Sequence, residues 1–161
     1  MGAPFATIRG VFRSLRIYYG NPAQKRAMDA LYHRFLRPGD LAFDIGAHVG
    51  DRVRCFRRLG CRVVALEPQV SLVRVLRLFY GRAEGVVIHE AAVGARSGTL
   101  GLHLNPANPT VATGSTGFIA AADGSPGWER ECWRGFMRCP VDAGDYKRKE
   151  LHKRHGQRQT V

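Results

Sequence analysis

The chain has 161 residues, the length of one ordinary domain and enough to bury a substantial core. Apolar residues make up 45% and charged residues 24%, a composition that excludes a disordered or fibrous chain. Lys and Arg number 25 against 13 Asp and Glu, a net charge of +12 that favours anionic partners without naming a fold. No apolar run reaches the ~18 residues that a membrane span requires.

Phe5, Ile8, Phe12, Leu15 and Tyr19 fall at helical spacing, with Arg9, Arg13 and Arg16 elsewhere on the cylinder. The pattern predicts an Arg-bearing docking helix over residues 5–19. The alternative is an organelle transit peptide, since the first acid is Asp29. Arginines interrupt every early apolar stretch, so no secretory signal is expected and the expected location is cytoplasmic. After a break at Gly20, Asn21 suits an N-cap and Pro22 the first helical position. Met28, Leu31, Tyr32, Phe35 and Leu36 then predict a helix that ends at Pro38-Gly39. Residues 1–40 thus read as two N-terminal helices.

From Leu41 the period changes. Leu41–Ile45 is a short apolar run closed by glycines, as a buried parallel strand would be. Val53, Phe56 and Leu59 predict a helix ending at Gly60, and Arg62–Glu67 a second strand that closes on an acid. Leu72, Val75, Leu76, Phe79 and Tyr80 predict another helix, and Val86–Ile88 begins a third strand. This order implies βαβ units, right-handed crossovers and an open, doubly wound α/β sheet with helices on both faces.

Beyond Gly94, Thr99–Leu104 alternates like an antiparallel strand, and residues 105–127 lack periodicity. Phe136–Val141 is a further candidate strand. Residues 142–161 form a polar, basic segment holding Lys147, Lys149 and Lys153, and read as a disordered tail. Cys55, Cys61, Cys132 and Cys139 match no zinc spacing, and His152 and His155 lack partner ligands, so buried free thiols and no metal are expected.

The strongest chemical signal is Asp44-Ile45-Gly46-Ala47-His48-Val49-Gly50-Asp51, between the first strand and its helix. Glycines there permit a sharp turn and close approach of a ligand, and ligands of open α/β sheets bind at the carboxyl ends of strands. A dinucleotide fingerprint would need glycines at His48 and Asp51, and a P-loop would need a Lys after its second glycine. Glu67 ends the second strand 21 positions after Gly46, where an acid can accept both hydroxyls of a ribose. Asp51 reads as a helix N-cap. Arg54, Arg57 and Arg58 read as a solvated face, with an anionic-substrate patch as the alternative.

The stretch from Tyr18 to about Val141 resembles the FkbM family of S-adenosylmethionine-dependent methyltransferases. Phe43–Gly50 is similar to that family's first cofactor motif, Val64-Ala65-Leu66-Glu67-Pro68 to the second, and Glu90–Gly94 to the end of the third strand. His48 stands where the family usually has Asn. The resemblance implies a Rossmann-like class I methyltransferase sheet and S-adenosyl-L-methionine as cofactor. Asp44, Gly46, Ala47, His48 and Gly50 would surround its methionine part, Glu67 its ribose, and the backbone near Ala91 its adenine. It makes residues 41–141 a partial methyltransferase domain. After Pro140-Val141 the family's acidic Ile-Asp-Val-Glu-Gly-like strand does not follow. The sheet is therefore expected to be incomplete at its C-terminal end, with an uncovered edge open to self-association.

O-methylation of a hydroxyl on a small molecule, glycan or polyketide is the function this implies. Two alternatives stand beside it: an inactive truncated remnant, and an RNA-binding protein or RNA methyltransferase, which only the charge favours. Specific nucleic-acid binding is not expected, because the chain lacks aromatic–basic stacking motifs. No catalytic side chain is assignable; His48 and His103 are the candidate bases.

Overall fold

A computed structural model describes residues 3–94, 99–105, 112, 113, 115, 117, 129–134 and 136–138. In chain order the elements are α1 (Ala3–Tyr19), α2 (Pro22–Tyr32), β1 (Leu41–Ile45), α3 (Asp51–Arg58), β2 (Arg62–Leu66) and α4 (Val70–Tyr80). They continue with β3 (Val86–His89), β4 (Ala92–Gly94), β5 (Thr99–Leu104), β6 (Glu129–Arg134) and β7 (Phe136–Arg138). The chain is mixed α/β. The predicted tail 142–161 and most of the 105–127 stretch lie outside the described residues, as do the side chains of Cys132 and Cys139.

Strands β1, β2 and β3 form a parallel sheet in that order, so β1 and β3 are its edges among the described residues. The register aligns Ala42 with Val63 and Val86, and Asp44 with Ala65 and Ile88. Side chains so aligned share one face of the sheet. Ala42, Val63 and Ala65 join Val53, Cys55 and Phe56 of α3 and Leu76 of α4 in one core cluster. Met28 and Tyr32 of α2 pack against the same cluster. Each of the larger buried side chains contributes about 1.5–3 kcal/mol relative to exposure.

Among the described residues, helices α2, α3 and α4 therefore lie on one face of these three strands, where the sequence predicts helices on both faces. Right-handed crossovers running in one direction, β1 to β2 to β3, place their helices on the same side. The opposite face carries Phe43, Val64 and Val87, and there Val64 and Leu66 are buried while Ile45 is exposed.

Two shorter ladders complete the described structure. β4 pairs with β7 in parallel, and β5 pairs with β6 antiparallel. The predicted strand at 99–104 is thus present, and its partner is a segment whose run Glu-Arg-Glu-Cys-Trp-Arg gives no strand signal by alternation.

The N-cap of α2 forms as its sequence dictates, with the Asn21 side chain accepting from Ala23 N at 3.0 Å and Gln24 N at 3.2 Å. Its helix stops at Tyr32, earlier than the apolar pattern suggests. Met28, Tyr32 and Leu36 face the core, whereas Leu31 and Phe35 are exposed. Asp29 pairs with Arg58 of α3, and that guanidinium holds the Asp29 carboxyl below the usual carboxylate range. Arg54 lies over the Tyr19 ring at 5.2 Å. Arg54, Arg57 and Arg58 are all exposed, as a solvated face requires, and two of them also tie helices together.

Cys55 and Cys61 are buried and free, in agreement with the sequence. Burial pushes the Cys55 thiol up to about 12, and Cys61 is raised for the same reason. Reaction with a water-soluble disulfide reagent followed by peptide mapping is expected to leave both unmodified in the native chain and to modify both in denaturant. Rapid native labelling of Cys55 would contradict this packing.

Candidate functional site

The carboxyl ends of the three parallel strands converge through backbone hydrogen bonds that run past the ladder. Gly46 N and Ala47 N both donate to Leu66 O, at 2.8 and 3.0 Å. Glu67 N donates to His89 O at 3.0 Å, and Ala91 N donates to Glu67 O at 3.2 Å. The β1–α3 loop thereby sits against the end of β2, and the end of β2 against the segment after β3.

Within that loop, Gly46, His48 and Gly50 all have left-handed backbone, with φ of 72°, 51° and 84°. The two glycines serve different ends. A Cβ on Gly50 would lie 2.7 Å from Leu76 Cδ2 and 2.8 Å from Tyr80 Cε2, so this glycine lets α4 approach. A Cβ on Gly46 would meet no atom within 4 Å, so its backbone faces open space that a ligand can enter. His48 takes the left-handed turn without being glycine, and its N–H donates to Glu67 Oε2 at 2.9 Å.

Glu67 is buried, and Gln69 N donates to its other oxygen, Oε1, at 2.9 Å. Each carboxylate oxygen is held by one backbone N–H, and the Gln69 side chain hydrogen-bonds the carboxylate as well. Burial raises the Glu67 carboxyl above its ordinary range against the lowering effect of these hydrogen bonds. Asp44, also buried, accepts from Arg52 Nε at 2.7 Å through Oδ1, while its Oδ2 has no hydrogen-bond partner. Burial raises Asp44 as well, and Arg52 opposes it. Arg52 Nη2 donates in turn to Gly46 O at 2.9 Å, so one guanidinium fastens the strand end to the loop.

These groups border a cleft of about 250 Å³ lined by Tyr18, Gly46, His48, Asp51, Arg52, Glu67, Pro68, Gln69, Leu102 and Ala112. Three of the seven predicted cofactor residues, Gly46, His48 and Glu67, are on that lining. Asp44, Ala47, Gly50 and Ala91 support it from behind and are themselves buried. Asp51 is the first residue of α3 and lines the cleft; the cap is Gly50, without a side-chain cap hydrogen bond, so the N-cap expectation is corrected. Sequence reasoning missed Tyr18, Arg52 and Gln69. Only Arg52 carried a local signal, as a cation on the first turn after the loop.

His48 has Nε2 at 3.5 Å from Ser14 Oγ, and Tyr18 meets its ring edge-on at 5.2 Å. Burial lowers its pKa, so the imidazole is neutral near neutral pH, with Nδ1 buried and unpartnered. His103 is bridged to Thr113 by backbone hydrogen bonds of 2.8 and 3.0 Å and does not line the cleft. No group of three or more His, Cys, Asp or Glu suited to a metal occurs among the described residues.

The raised Glu67 value has a measurable consequence. A carboxyl that holds its proton more tightly when folded favours the fold below the unfolded pKa, and that contribution is lost as pH rises through the folded value. Relative to Glu67→Gln, which does not titrate, the wild-type melting temperature is expected to fall as pH rises across this interval. A constant difference between the two melting curves from acid to neutral pH would contradict it. Compared with protein-family models and with curated proteins, the chain matches none.

Proposed function

We propose that this chain is a methyltransferase of the FkbM type, binding S-adenosylmethionine at the cleft of a Rossmann-like class I sheet. The acceptor is a hydroxyl of a small molecule, glycan or polyketide. The observation that carries the reading is charge: a chain of net charge +12 sets Asp51 and Glu67 on one small cleft, and its cation there, Arg52, is already paired with the buried Asp44 behind the lining. An acid on the first turn of α3 opposes a pyrophosphate at that helix N-terminus, which is where a dinucleotide would place it. The same acids favour a ligand bearing positive charge, and S-adenosylmethionine carries a sulfonium and an ammonium. Once bound, it supplies an electrophilic methyl group.

The chain's own residues bind and orient. The Glu67 carboxylate on the cleft wall suits the ribose hydroxyls as an acceptor, and its ionised form is the better one. The open backbone at Gly46 supports close approach of the amino-acid end of the ligand. Arg52 provides a guanidinium for the ligand's carboxylate, on the same side chain that neutralises Asp44. No general base is assigned, because His48 has one ring nitrogen buried and the other turned toward Ser14. Titration calorimetry with S-adenosylmethionine and, separately, NAD tests this choice. S-adenosylmethionine is expected to bind and NAD not; the reverse order would overturn the proposal.

A further inference from the structure

From Ile8 to Ser14 the packed face of α1 is not its apolar stripe, which meets the rest of the chain only near the helix end, at Tyr19. Gly10 and Ser14 are buried, and Tyr18 turns toward His48, whereas Ile8 is 53% and Phe12 68% exposed. Small residues along one side let the helix lie close, which leaves the large apolar side chains outward. Arg9, Arg13 and Arg16 run beside them and are exposed too, with Ile17 beyond. One turn past Leu15, the Tyr19 ring lies 6.2 Å from Phe79 of α4, itself 49% exposed, so the apolar strip continues onto a second helix. No acid occurs in the first 28 residues, which hold five basic side chains.

We propose that this face is a docking surface for anionic lipid bilayers, with Ile8, Phe12 and Phe79 entering the headgroup layer and Arg9, Arg13 and Arg16 pairing with lipid phosphates. Charge complementarity argues for an anionic partner. The interleaving of Ile and Phe with arginines argues for a bilayer, because a nucleic-acid backbone gives an aliphatic side chain no apolar surface to bury against. The helix lies on the surface and does not cross it; no described helix is long and apolar enough to do so. This inference is independent of the methyltransferase reading.

Flotation of the full chain with vesicles tests it, using phosphatidylcholine alone and phosphatidylcholine mixed with phosphatidylglycerol. The chain is expected to float with the mixed vesicles and not with the neutral ones. The pair Ile8→Ser/Phe12→Ser and the triple Arg9→Gln/Arg13→Gln/Arg16→Gln are each expected to weaken partitioning by about tenfold or more. All these side chains face solvent, so the melting temperature should stay that of the parent. As a second variant, Phe12→Trp should shift its emission to the blue on mixed vesicles, read as the difference from the parent chain. Several results would overturn the proposal: no flotation, equal flotation on neutral vesicles, full retention by the serine pair, or an unshifted tryptophan. Polyuridylate binding, or dimerisation in sedimentation, that is lost in the serine pair while flotation persists would assign the face to RNA or to a second copy, and would equally overturn it.

Discussion

Replacing Gly50 by alanine is expected to remove about 2–5 kcal/mol of stability, a large part of the ~5–15 kcal/mol typical of a domain. Two costs add. The left-handed backbone at φ 84° disfavours any side chain, and the new Cβ would enter the space of Leu76 and Tyr80. Neither neighbour can yield cheaply. Leu76 is fully buried, and Tyr80 is fixed by its hydroxyl contacts with Tyr19 at 2.8 Å and with Gly50 O at 3.2 Å. Gly46→Ala is the control, since its φ of 72° carries the conformational cost but its Cβ would meet nothing. It should lose only about 1–2 kcal/mol in urea unfolding. Equal losses in the two variants would refute the close approach of α4 to the loop.

The second large effect concerns Glu67. Glu67→Ala is expected to weaken S-adenosylmethionine binding by about 1–3 kcal/mol, roughly fivefold to 150-fold, because two ribose hydrogen bonds to a charged group would be lost. The alanine also leaves the His48 and Gln69 N–H groups without their acceptor, so a melting curve must accompany the titration. Glu67→Gln keeps one acceptor oxygen, and should bind more weakly than wild type while losing less stability than alanine. Affinity should also fall as pH drops through the Glu67 value, which burial places above the ordinary carboxylate range. Wild-type affinity in both variants would remove Glu67 from the binding site.

Much of the parallel sheet and of the loop was legible because local pattern and tertiary environment agree there. Leu41–Ile45 and Arg62–Leu66 are apolar runs ended by turn glycines or an acid, and the structure places them as adjacent parallel strands. Gly46 and Gly50 marked a sharp turn, and both have positive φ. Helix α1 was legible as a helix but not in its orientation. Periodicity identifies the apolar stripe, yet here the small residues Gly10 and Ser14 set the packed side. The same lesson explains Tyr18 in the cleft: 28 residues separate it from Gly46, and only the packing of α1 brings it there. Arg52 and Asp44 form a pair 8 positions apart across a strand–loop–helix corner, a relation outside any single element's period. β4 has three residues, too few to establish alternation, and the alternating charges of β6 mask its pairing with β5.

The most direct test of the account is a nuclear magnetic resonance titration of the full chain with S-adenosylmethionine, following backbone amides. The account predicts saturable shifts concentrated at Gly46–Gly50, at Glu67 and Gln69, and near Ala91, with little change in α2. Absence of any shift at high ligand concentration, or shifts confined to residues remote from the β1–α3 loop, would contradict it.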